Sequence, residues 1–315
     1  MKFRSEIKYH KPEIPKIDHR SQCLFLGSCF AQNIASKLDF YKVPTLSNPY
    51  GIMYNPFSIS QVFQDLKQNK IYSDKDIDEH RGVFFNYSNH SSNNSLSKEA
   101  LKNEINQSLS DFSENLKNVT HVFISLGTAY AYRLKSSGNF VGNCHKQPNT
   151  LFEKVLLDIP SIVKSSRETM GLIENQANNK VSFIFTLSPV RHLKDGFVEN
   201  SISKAHLRAA IHEITSQSTH YYFPSYEILL DDLRDYRFYK EDLVHPSEQA
   251  IDYIWDHFQE ALVSDSAKPH FKAIARVQTG LLHRPFQPNS MEHQKFKEKL
   301  EKEKRALEQS LGIKF

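Results

Sequence analysis

Short continuous apolar runs alternate with amphipathic stretches along much of the chain. The apolar runs occupy residues 23–26, 121–126, 181–187 and 221–223. Stretches with apolar residues at helical spacing occupy 30–38 and about 200–217. Short unbroken apolar runs are typical of strands buried on both faces, and a 3.6-residue period is typical of helices. This alternation predicts a parallel sheet covered by helices on both faces.

A polar region and the C-terminal part depart from this alternation. From 71 to 118 the sequence turns polar, with a Ser/Asn-rich stretch, which predicts a surface excursion followed by a helix over 98–117. Apolar residues at helical spacing predict another helix that begins at or just past Pro246, since proline fits the first helical turn. The tail after 292 is predicted to be a charged helix that either packs on its own domain or meets a partner.

Charge and composition exclude several classes of protein. The 315 residues are 39% hydrophobic, and 40 basic against 36 acidic residues give a net charge of +4. An excess this thin, spread along the chain, argues against a nucleic-acid or anionic-membrane surface. No run approaches the roughly 18 apolar residues of a membrane span, and the start lacks the apolar core of a secretory signal. An odd count of three cysteines indicates no disulfide framework, so we expect a cytoplasmic location.

The turn after the first apolar run carries a hydroxyl beside a thiol. In a parallel sheet, ligands bind outside the carboxyl ends of the strands, where Gly27, Ser28 and Cys29 are predicted to lie. Helix-start N–H groups suit an oxyanion, which makes Ser28 a candidate nucleophile. The simpler alternative is a helix cap, because serine is a favoured N-cap residue. A thiol at a helix start could also be nucleophilic, but we expect Cys29 to pack beneath the turn.

A general base for this turn is predicted near the other end of the chain. The sequence "DLVHPS" places Asp242 three residues before His245, in a loop ahead of the predicted helix. A carboxylate so placed can hold the Nδ1 proton of the imidazole and leave Nε2 facing the nucleophile. The chain has 15 histidines, and the D-x-x-H-P arrangement is what singles out His245.

Several stretches together resemble a known family. The sequence "GSCFA" at 27–31 resembles the signature of the GSCFA-domain family, and the Gly-Ser turn with a late D-x-x-H resembles the wider SGNH/GDSL hydrolase superfamily. Further stretches similar to the GSCFA family are "NPYGIMYNPFS" (48–58), "LGTAYAY" (126–132), "GNCHKQP" (142–148), "LSPVRH" (187–192), "DLVHPS" (242–247) and "HRPF" (283–286). The resemblance extends from about Phe25 into the C-terminal region.

This resemblance implies a set of catalytic roles. It implies that Ser28 is the nucleophile, matching the serine of the superfamily's first block. It implies that His245 is the base and Asp242 its orienting partner. The backbone N–H of Gly51, in "PYGI", is the implied contribution of the second block to the oxyanion hole.

The chain departs from the superfamily at the third block, where the asparagine of a G-x-N sequence typically donates to the oxyanion. Here Gly127 is followed by Thr128 and Ala129, and an alanine side chain donates nothing. Loss of one oxyanion donor typically costs about 2.7–4 kcal/mol of transition-state stabilisation. We therefore expect a replacement, in the order Asn143, Thr128 and Asn55.

Other candidate residues follow the third apolar run and the "GNCHK" stretch. Arg191 and His192 are predicted to contact an anionic or polar part of the substrate, with pairing of Arg191 to a nearby acid as the equal alternative. Cys144 and His145 are adjacent and lack the usual spacing of metal ligands, so we expect no metal. No phosphate-binding glycine loop is present, so we expect no nucleotide or other cofactor.

Together these predictions describe a three-layer α/β/α, SGNH-hydrolase-like catalytic domain over 1–263, with a central, mainly parallel sheet, and a C-terminal helical extension over 264–315. We expect an esterase that acts on acyl esters, acetyl esters among them, through an acyl-serine intermediate. An O-acyltransferase with the same site and an inactive scaffold are the alternatives. The expected partner is a small-molecule or glycan acyl ester, without nucleic acid or a membrane span, and the C-terminal helix offers a route to an oligomer.

Overall fold

A five-stranded parallel sheet forms the centre of the structure. The computed structural model describes residues 5–216, 218–287 and 290–315. In chain order the strands are β1 (Cys23–Gly27), β2 (Thr45–Ser47), β3 (Asp78–His80), β4 (Val83–Phe85), β5 (His121–Leu126), β6 (Tyr130–Leu134), β7 (Phe140–Val141), β8 (Phe152–Leu156), β9 (Ser182–Leu187) and β10 (Tyr221–Tyr222). The helices are α1 (Cys29–Phe40), α2 (Pro56–Lys67), α3 (Lys98–Leu116), α4 (Ile159–Gln176), α5 (Phe197–Thr215), α6 (Ser225–Glu227), α7 (Glu248–Leu262), α8 (Lys268–Leu282) and α9 (Met291–Leu311).

The strand order of the central sheet is β10-β9-β5-β1-β2, with every pairing parallel. The chain leaves β1 toward β2 on one side, whereas β5, β9 and β10 add on the other side. The order reverses between β1 and β5, and an open parallel sheet generally binds its ligands at the carboxyl ends of the strands at such a point. Gly27 pairs with Ser125 here, so the turn after β1 lies at this switch point.

Two hydrophobic cores lie on opposite faces of the sheet. Leu24 and Leu26 of β1 belong to the core built with α2, α3, α4 and α5. Their neighbours Cys23 and Phe25 belong to the core built with α1 and α7. Alternate residues of a strand point to opposite faces, so β1 is buried on both. The prediction of a three-layer α/β/α domain with a parallel sheet is confirmed.

The polar region at 71–118 and the segment after β5 contain short strands that the sequence did not predict. The helix predicted over 98–117 is confirmed as α3. Before it, β3 and β4 form an antiparallel hairpin. After β5, a second antiparallel sheet forms in the order β7-β6-β8. These strands are two to five residues long and only partly buried, so they lack the continuous apolar runs that marked the central strands.

The charged C-terminal helix packs on its own chain. Leu300 and Leu307 of α9 are buried against Ile274 and Val277 of α8. A methyl group at Gly280 of α8 would lie 2.6 Å from Leu300 Cδ1, so glycine allows the two helices to approach closely. Docking on the same chain was one of the two predicted alternatives, and it is confirmed.

Helix α8 also packs against the core that α1 and α7 build on one face of the sheet. Phe271 of α8 stacks on Tyr41, with ring centroids 4.5 Å apart.

The predicted domain boundary between residues 263 and 264 stays a prediction. Residue 217, at the end of the helix predicted over 200–217, lies outside the described residues, and α5 ends at Thr215. In the described parts of the chain, no helix has the length and apolar character needed to cross a bilayer.

Candidate active site

The turn after β1 is pressed against β5. Gly27 has φ +110°, and a Cβ there would lie 2.1 Å from the carbonyl oxygen of Ser125, so this position admits only glycine. The N–H of Gly27 donates to Asn48 Oδ1 at 2.8 Å, and the N–H of Ser28 donates to the carbonyl of Ser125 at 3.0 Å. The backbone of the turn is therefore fixed by both neighbouring strand ends.

The hydroxyl of Ser28 points into the sheet. Ser28 is 0% exposed, and its Oγ lies 2.8 Å from Ser125 Oγ, so one hydroxyl donates to the other. Ser28 occupies the N-cap position of α1, but its side chain caps no helix N–H. The hydroxyl therefore faces the neighbouring strand, which supplies a hydrogen-bond partner for it. The nucleophilic role of Ser28 stays a prediction.

Cys29 is the first residue of α1 and keeps partial solvent exposure. It packs at the edge of the core shared by α1 and α7. Burial raises the pKa of its thiol above the ordinary value. The first two N–H groups of α1 and the positive charges of Lys204 and Lys240 act in the opposite direction. The predicted packing beneath the turn is therefore only partial.

His245 and Asp242 form a hydrogen-bonded pair. His245 Nδ1 lies 2.7 Å from Asp242 Oδ2, while Asp242 Oδ1 accepts the backbone N–H groups of Val244 at 2.8 Å and His245 at 2.9 Å. These hydrogen bonds, led by that from the His245 N–H, lower the pKa of Asp242 to about 2. An ionised carboxylate only accepts, so Nδ1 carries the proton and Nε2 of the neutral ring is left as a base. The predicted pairing in one loop is confirmed.

This loop ends at the start of α7. Ser247 caps the helix by accepting the N–H of Ala250 at 3.3 Å, and Glu248 is the first helical residue. The prediction that the helix begins at or just past Pro246 is confirmed, with the start just past it. A serine that can satisfy a helix N–H sets the boundary here, and the proline precedes the cap.

Arg191 ties the loop after β9 to the loop that carries His245. Its backbone N–H donates to the carbonyl of Val244 at 3.1 Å, and its Nη1 donates to the carbonyl of Leu243 at 3.3 Å. The guanidinium also lies over the rings of Tyr239 and Phe197, at 5.4 and 5.6 Å from their centroids. Arg191 thus contacts the loop and two aromatic rings, rather than the nearby acid that was the predicted alternative. Its contact with substrate stays a prediction.

His192 lies against the end of β5. Its ring meets that of Tyr54 edge to face at 5.1 Å, and a Cβ at Gly127 would lie 2.8 Å from its Nε2. This Nε2 is buried without a hydrogen-bond partner in the structure. Burial, with smaller electrostatic effects of Lys204 and His245, lowers the pKa of His192 to about 3. A neutral His192 therefore lies within electrostatic reach of the base, and its predicted contact with substrate stays a prediction.

Lys204 is a residue that the sequence reasoning missed. It lies on the inward face of α5, is 3% exposed, and donates to the carbonyl of Ser188 at 2.7 Å. Burial lowers its pKa to about 7, and the nearby Cys29 thiol acts the other way. The sequence could have identified Lys204 because it is a lysine on the apolar side of a predicted helix. A buried ammonium group is rare without a specific partner.

Three of the predicted oxyanion-hole residues take part in hydrogen bonds within the protein. The N–H of Gly51 donates to the carbonyl of Asn48 at 2.7 Å. The hydroxyl of Thr128 lies 3.0 Å from that of Ser203 and accepts a backbone N–H at 3.0 Å. Asn55 caps α2 by accepting the N–H of Ser58 through its Oδ1 at 2.9 Å, a bond in which its Nδ2 takes no part. The predicted Gly51 donor is therefore used within the protein, whereas the predicted role of the Asn55 amide stays a prediction.

Two further asparagines also accept a backbone N–H through Oδ1. Asn143 accepts the N–H of His145 at 2.8 Å through Oδ1, so its Nδ2 takes no part in that bond. Asn48 accepts the N–H of Gly27 through Oδ1, and its Nδ2 is buried without a partner in the structure. Asn48 has φ 35°, a backbone region that asparagine tolerates better than most residues. Sequence reasoning missed Asn48 because an asparagine beside a proline reads as an ordinary turn.

The "GNCHK" loop forms an aromatic cluster. The ring of His145 stacks on Phe85, with centroids 4.5 Å apart and planes 21° apart. Burial lowers the pKa of His145 to about 4, so the ring is neutral. Over residues 5–216, 218–287 and 290–315, no cluster of three or more His, Cys, Asp or Glu side chains is placed to hold a metal ion.

Comparison with known families agrees with the resemblance seen in the sequence. The model of the GSCFA family matches residues 22–258, most of the chain. The chain belongs to the GSCFA family. The model of the GSCFA domain protein, C-terminal domain, matches residues 274–314, which hold the end of α8 and all of α9 of this GSCFA protein. A search of curated proteins found no match.

Proposed function

We propose that this GSCFA protein hydrolyses acyl esters through an acyl-enzyme intermediate formed on the turn after β1. The observation that carries the proposal is the pair of Asp242 and His245, in which Nδ1 is held at 2.7 Å and Nε2 is left as a base. The ionised carboxylate also stabilises the imidazolium that forms when Nε2 takes a proton. Structural ion pairs of this kind occur elsewhere in proteins, so the position of the pair matters as well.

The position of the pair supports the proposal. The loop of His245 is hydrogen-bonded to Arg191, which follows β9, and His245 lies within electrostatic reach of His192 beside Gly127 at the end of β5. The turn after β1 lies next to β5 in the sheet. The base, the turn and the first N–H groups of α1 are therefore grouped around the carboxyl ends of three neighbouring strands. This is where an open parallel sheet binds its ligands.

The reaction follows the usual course of acyl transfer. A side chain of the turn loses its proton to His245 Nε2 and attacks the ester carbonyl. The N–H groups at the start of α1, the positive end of the helix dipole, stabilise the oxyanion. His245 then gives the proton to the departing alcohol, and water releases the acid in a second, equivalent cycle.

The superfamily, the substrate class, the location and the association of the chain belong to the same proposal. We infer membership of the SGNH/GDSL superfamily from the resemblance of the Gly-Ser turn and the D-x-x-H loop, together with their places in the fold. The substrate would be a small-molecule or glycan acyl ester. The three free cysteines favour a reducing, cytoplasmic location. Association through α9 stays a prediction, since Leu300 and Leu307 already pack on α8.

Hydrolysis of a panel of esters tests the proposal. The panel contains p-nitrophenyl acetate, butyrate and octanoate and an acetylated monosaccharide, and kcat/KM is measured for the wild type and His245→Gln. General base catalysis contributes about 10²–10⁴-fold, so the variant should lose at least a hundredfold. His212→Gln, at an exposed position on α5, is the matched control and should match the wild type. Equal rates for the wild type and His245→Gln, or no hydrolysis of any ester, would contradict the proposal.

The same assay separates hydrolysis from acyl transfer. Added glycerol or a free monosaccharide competes with water for the acyl-enzyme. A hydrolase gives mainly the free acid at every acceptor concentration. Dominant formation of the new ester at millimolar acceptor would favour the acyltransferase, and absence of both products would favour the scaffold.

A further inference from the structure

We propose that Cys29, and not Ser28, is the side chain that attacks the ester and carries the acyl group. This inference rests on the proposed function and names the nucleophile of the same site. It depends on the different surroundings of two adjacent residues in the turn after β1. Ser28 faces the neighbouring strand, whereas Cys29 faces the start of α1 and its charged neighbours.

The surroundings of Ser28 are those of a structural hydroxyl. Its Oγ is 2.8 Å from Ser125 Oγ, and both residues are 0% exposed. The backbone cannot turn easily to release it, because Gly27 lies directly against the carbonyl of Ser125. Attack by Ser28 on a substrate would require breaking the hydroxyl pair and would leave the Ser125 hydroxyl buried without its partner. An unmade buried hydrogen bond costs about 1–3 kcal/mol.

The surroundings of Cys29 are those of a reactive group. It keeps partial exposure, whereas Cys23 on the strand below is buried. Its thiol lies by the first N–H groups of α1, where a developing thiolate and an oxyanion are both stabilised. Burial still raises the pKa of the thiol, so the resting group is protonated and needs a base. A protonated thiol with a separate base matches the Cys–His form of the catalytic arrangement.

Three residues link the Cys29 thiol to His245 through electrostatic effects and one backbone hydrogen bond, namely Lys240, Lys204 and His192. The charge of Lys240 acts on the Cys29 thiol, and the backbone N–H of Lys240 donates to the carbonyl of His245 at 2.8 Å. Lys204 acts on the same thiol, and it also acts on His192, which is within electrostatic reach of His245. Within the described residues, no hydrogen bond is made by Nε2 of His245, so this nitrogen is available to accept a proton.

The covalent steps need no reactant other than the ester and water. The Cys29 proton moves to His245 Nε2 as Sγ bonds to the acyl carbon, and the ester C–O bond breaks. His245 returns the proton to the leaving alkoxide, which departs as the alcohol. Water then attacks the thioester, gives a proton to His245, and the C–S bond breaks. The released thiolate takes that proton, and the products are one carboxylic acid and one alcohol.

Four variants test the assignment by kcat/KM for the ester that the wild type hydrolyses best. Cys29→Ala should lose about a thousandfold or more, because no nucleophile remains. Cys29→Ser should stay at least tenfold below the wild type, since a hydroxyl in the same place is a weaker nucleophile. Ser28→Ala should lose less than tenfold, because it removes a structural hydrogen bond. Cys144→Ala is the matched cysteine control and should match the wild type.

Alkylation gives a second measurement that does not depend on knowing the substrate. Iodoacetamide should inactivate the wild type and Cys144→Ala at the same rate, and it should modify Cys29 more slowly in His245→Gln. Thermal unfolding of each variant shows whether a loss of rate is a loss of folding. The Cys29→Ser variant, with nearly the same shape, keeps the test valid if Cys29→Ala unfolds.

The results distinguish a wrong nucleophile from a wrong function. Loss of activity in Ser28→Ala together with near wild-type activity in folded Cys29→Ala would overturn the assignment and leave the esterase in place. Ester hydrolysis by the wild type that survives both substitutions would overturn the acyl-enzyme on this turn. No hydrolysis by the wild type would overturn the proposed function and the assignment with it.

Discussion

The two parts of the proposed catalytic apparatus are held in different ways. The turn after β1 is fixed by the sheet, with Gly27 packed on the backbone of β5 and the Ser28 hydroxyl bonded to Ser125. The loop that carries the base is at the surface, and the side chains of His245 and Asp242 are 43% and 48% exposed. Its position depends on a few hydrogen bonds to Arg191 and its neighbours. Changes to the packed residues Gly27 and Ser28 of the turn should therefore act mainly on stability, whereas changes to the loop should act on the reaction.

Asp242→Asn should give the largest effect, and the effect should be on activity alone. The amide can no longer favour the Nδ1–H form of His245, and in the Ser-His-Asp proteases the equivalent change lowers kcat by about 10⁴-fold. We expect a loss of at least a hundredfold in kcat for ester hydrolysis. The thermal midpoint should move little, because the pair is half exposed and such pairs add little stability. A variant with normal kcat would show that this pair does not orient the base.

Gly27→Ala should give the next largest effect, and it should be on stability. The new methyl group would lie 2.1 Å from the carbonyl oxygen of Ser125, and φ +110° is strained for alanine. Overpacking of a buried site costs about 1–3 kcal/mol, and the strained backbone adds to this. Urea denaturation should show a drop in the free energy of unfolding of about 3 kcal/mol. Gly138→Ala, with φ +73° and open space around it, is the control for the backbone strain alone. An equal loss in both variants would contradict the close packing of the turn.

Arg191→Met should have a smaller effect, again on the reaction. The methionine keeps much of the apolar stem but removes the hydrogen bond from Nη1 to the carbonyl of Leu243. The backbone bond to Val244 remains, so the loop should loosen rather than detach. We expect kcat to fall about tenfold with KM nearly unchanged, as for a residue that positions the base. A rise in KM at constant kcat would instead indicate that Arg191 contacts the substrate.

His192→Gln should give the smallest effect near neutral pH, and its effect should appear in the pH dependence of stability. The pKa of His192 is lowered from 6.5 to about 3, so between these values the unfolded chain binds a proton that the folded chain does not. Stability is therefore lost as the pH falls from 6.5 toward 3. The variant lacks this component, so its unfolding free energy should fall less steeply, by up to about 1.4 kcal/mol per pH unit. Equal slopes for the two proteins between pH 6 and 4 would show that His192 is not buried as a neutral ring.

The sequence predicted the central sheet well because burial on both faces leaves a strong pattern. The run at 121–126 became β5 without a change of bounds, and the helix predicted over 98–117 became α3. The loop shared by Asp242 and His245 was also predictable, because only two residues separate them and a helix start follows. The small antiparallel sheet of β6, β7 and β8 was missed, since short and half-buried strands carry no continuous apolar run.

The details of the site were less predictable because they depend on neighbours that are distant in sequence. Ser28 and Cys29 are adjacent, and which of them faces inward is decided by Ser125, 97 residues after Ser28. Gly51 was a reasonable oxyanion donor until its N–H was found bonded to Asn48. Lys204 enters the site only because α5 packs on the sheet. Such contacts follow from the packing of elements, which residue patterns do not encode position by position.

Direct observation of the acyl group tests the central claim most directly. The enzyme is mixed with p-nitrophenyl acetate, stopped with acid within the first turnover, and digested with trypsin. The peptide of residues 21–37, which lies between Arg20 and Lys37, is then fragmented in a mass spectrometer. We predict an acetyl group on Cys29 that neutral hydroxylamine removes, as expected of a thioester. An acetyl group on Ser28, resistant to the same treatment, would contradict the account.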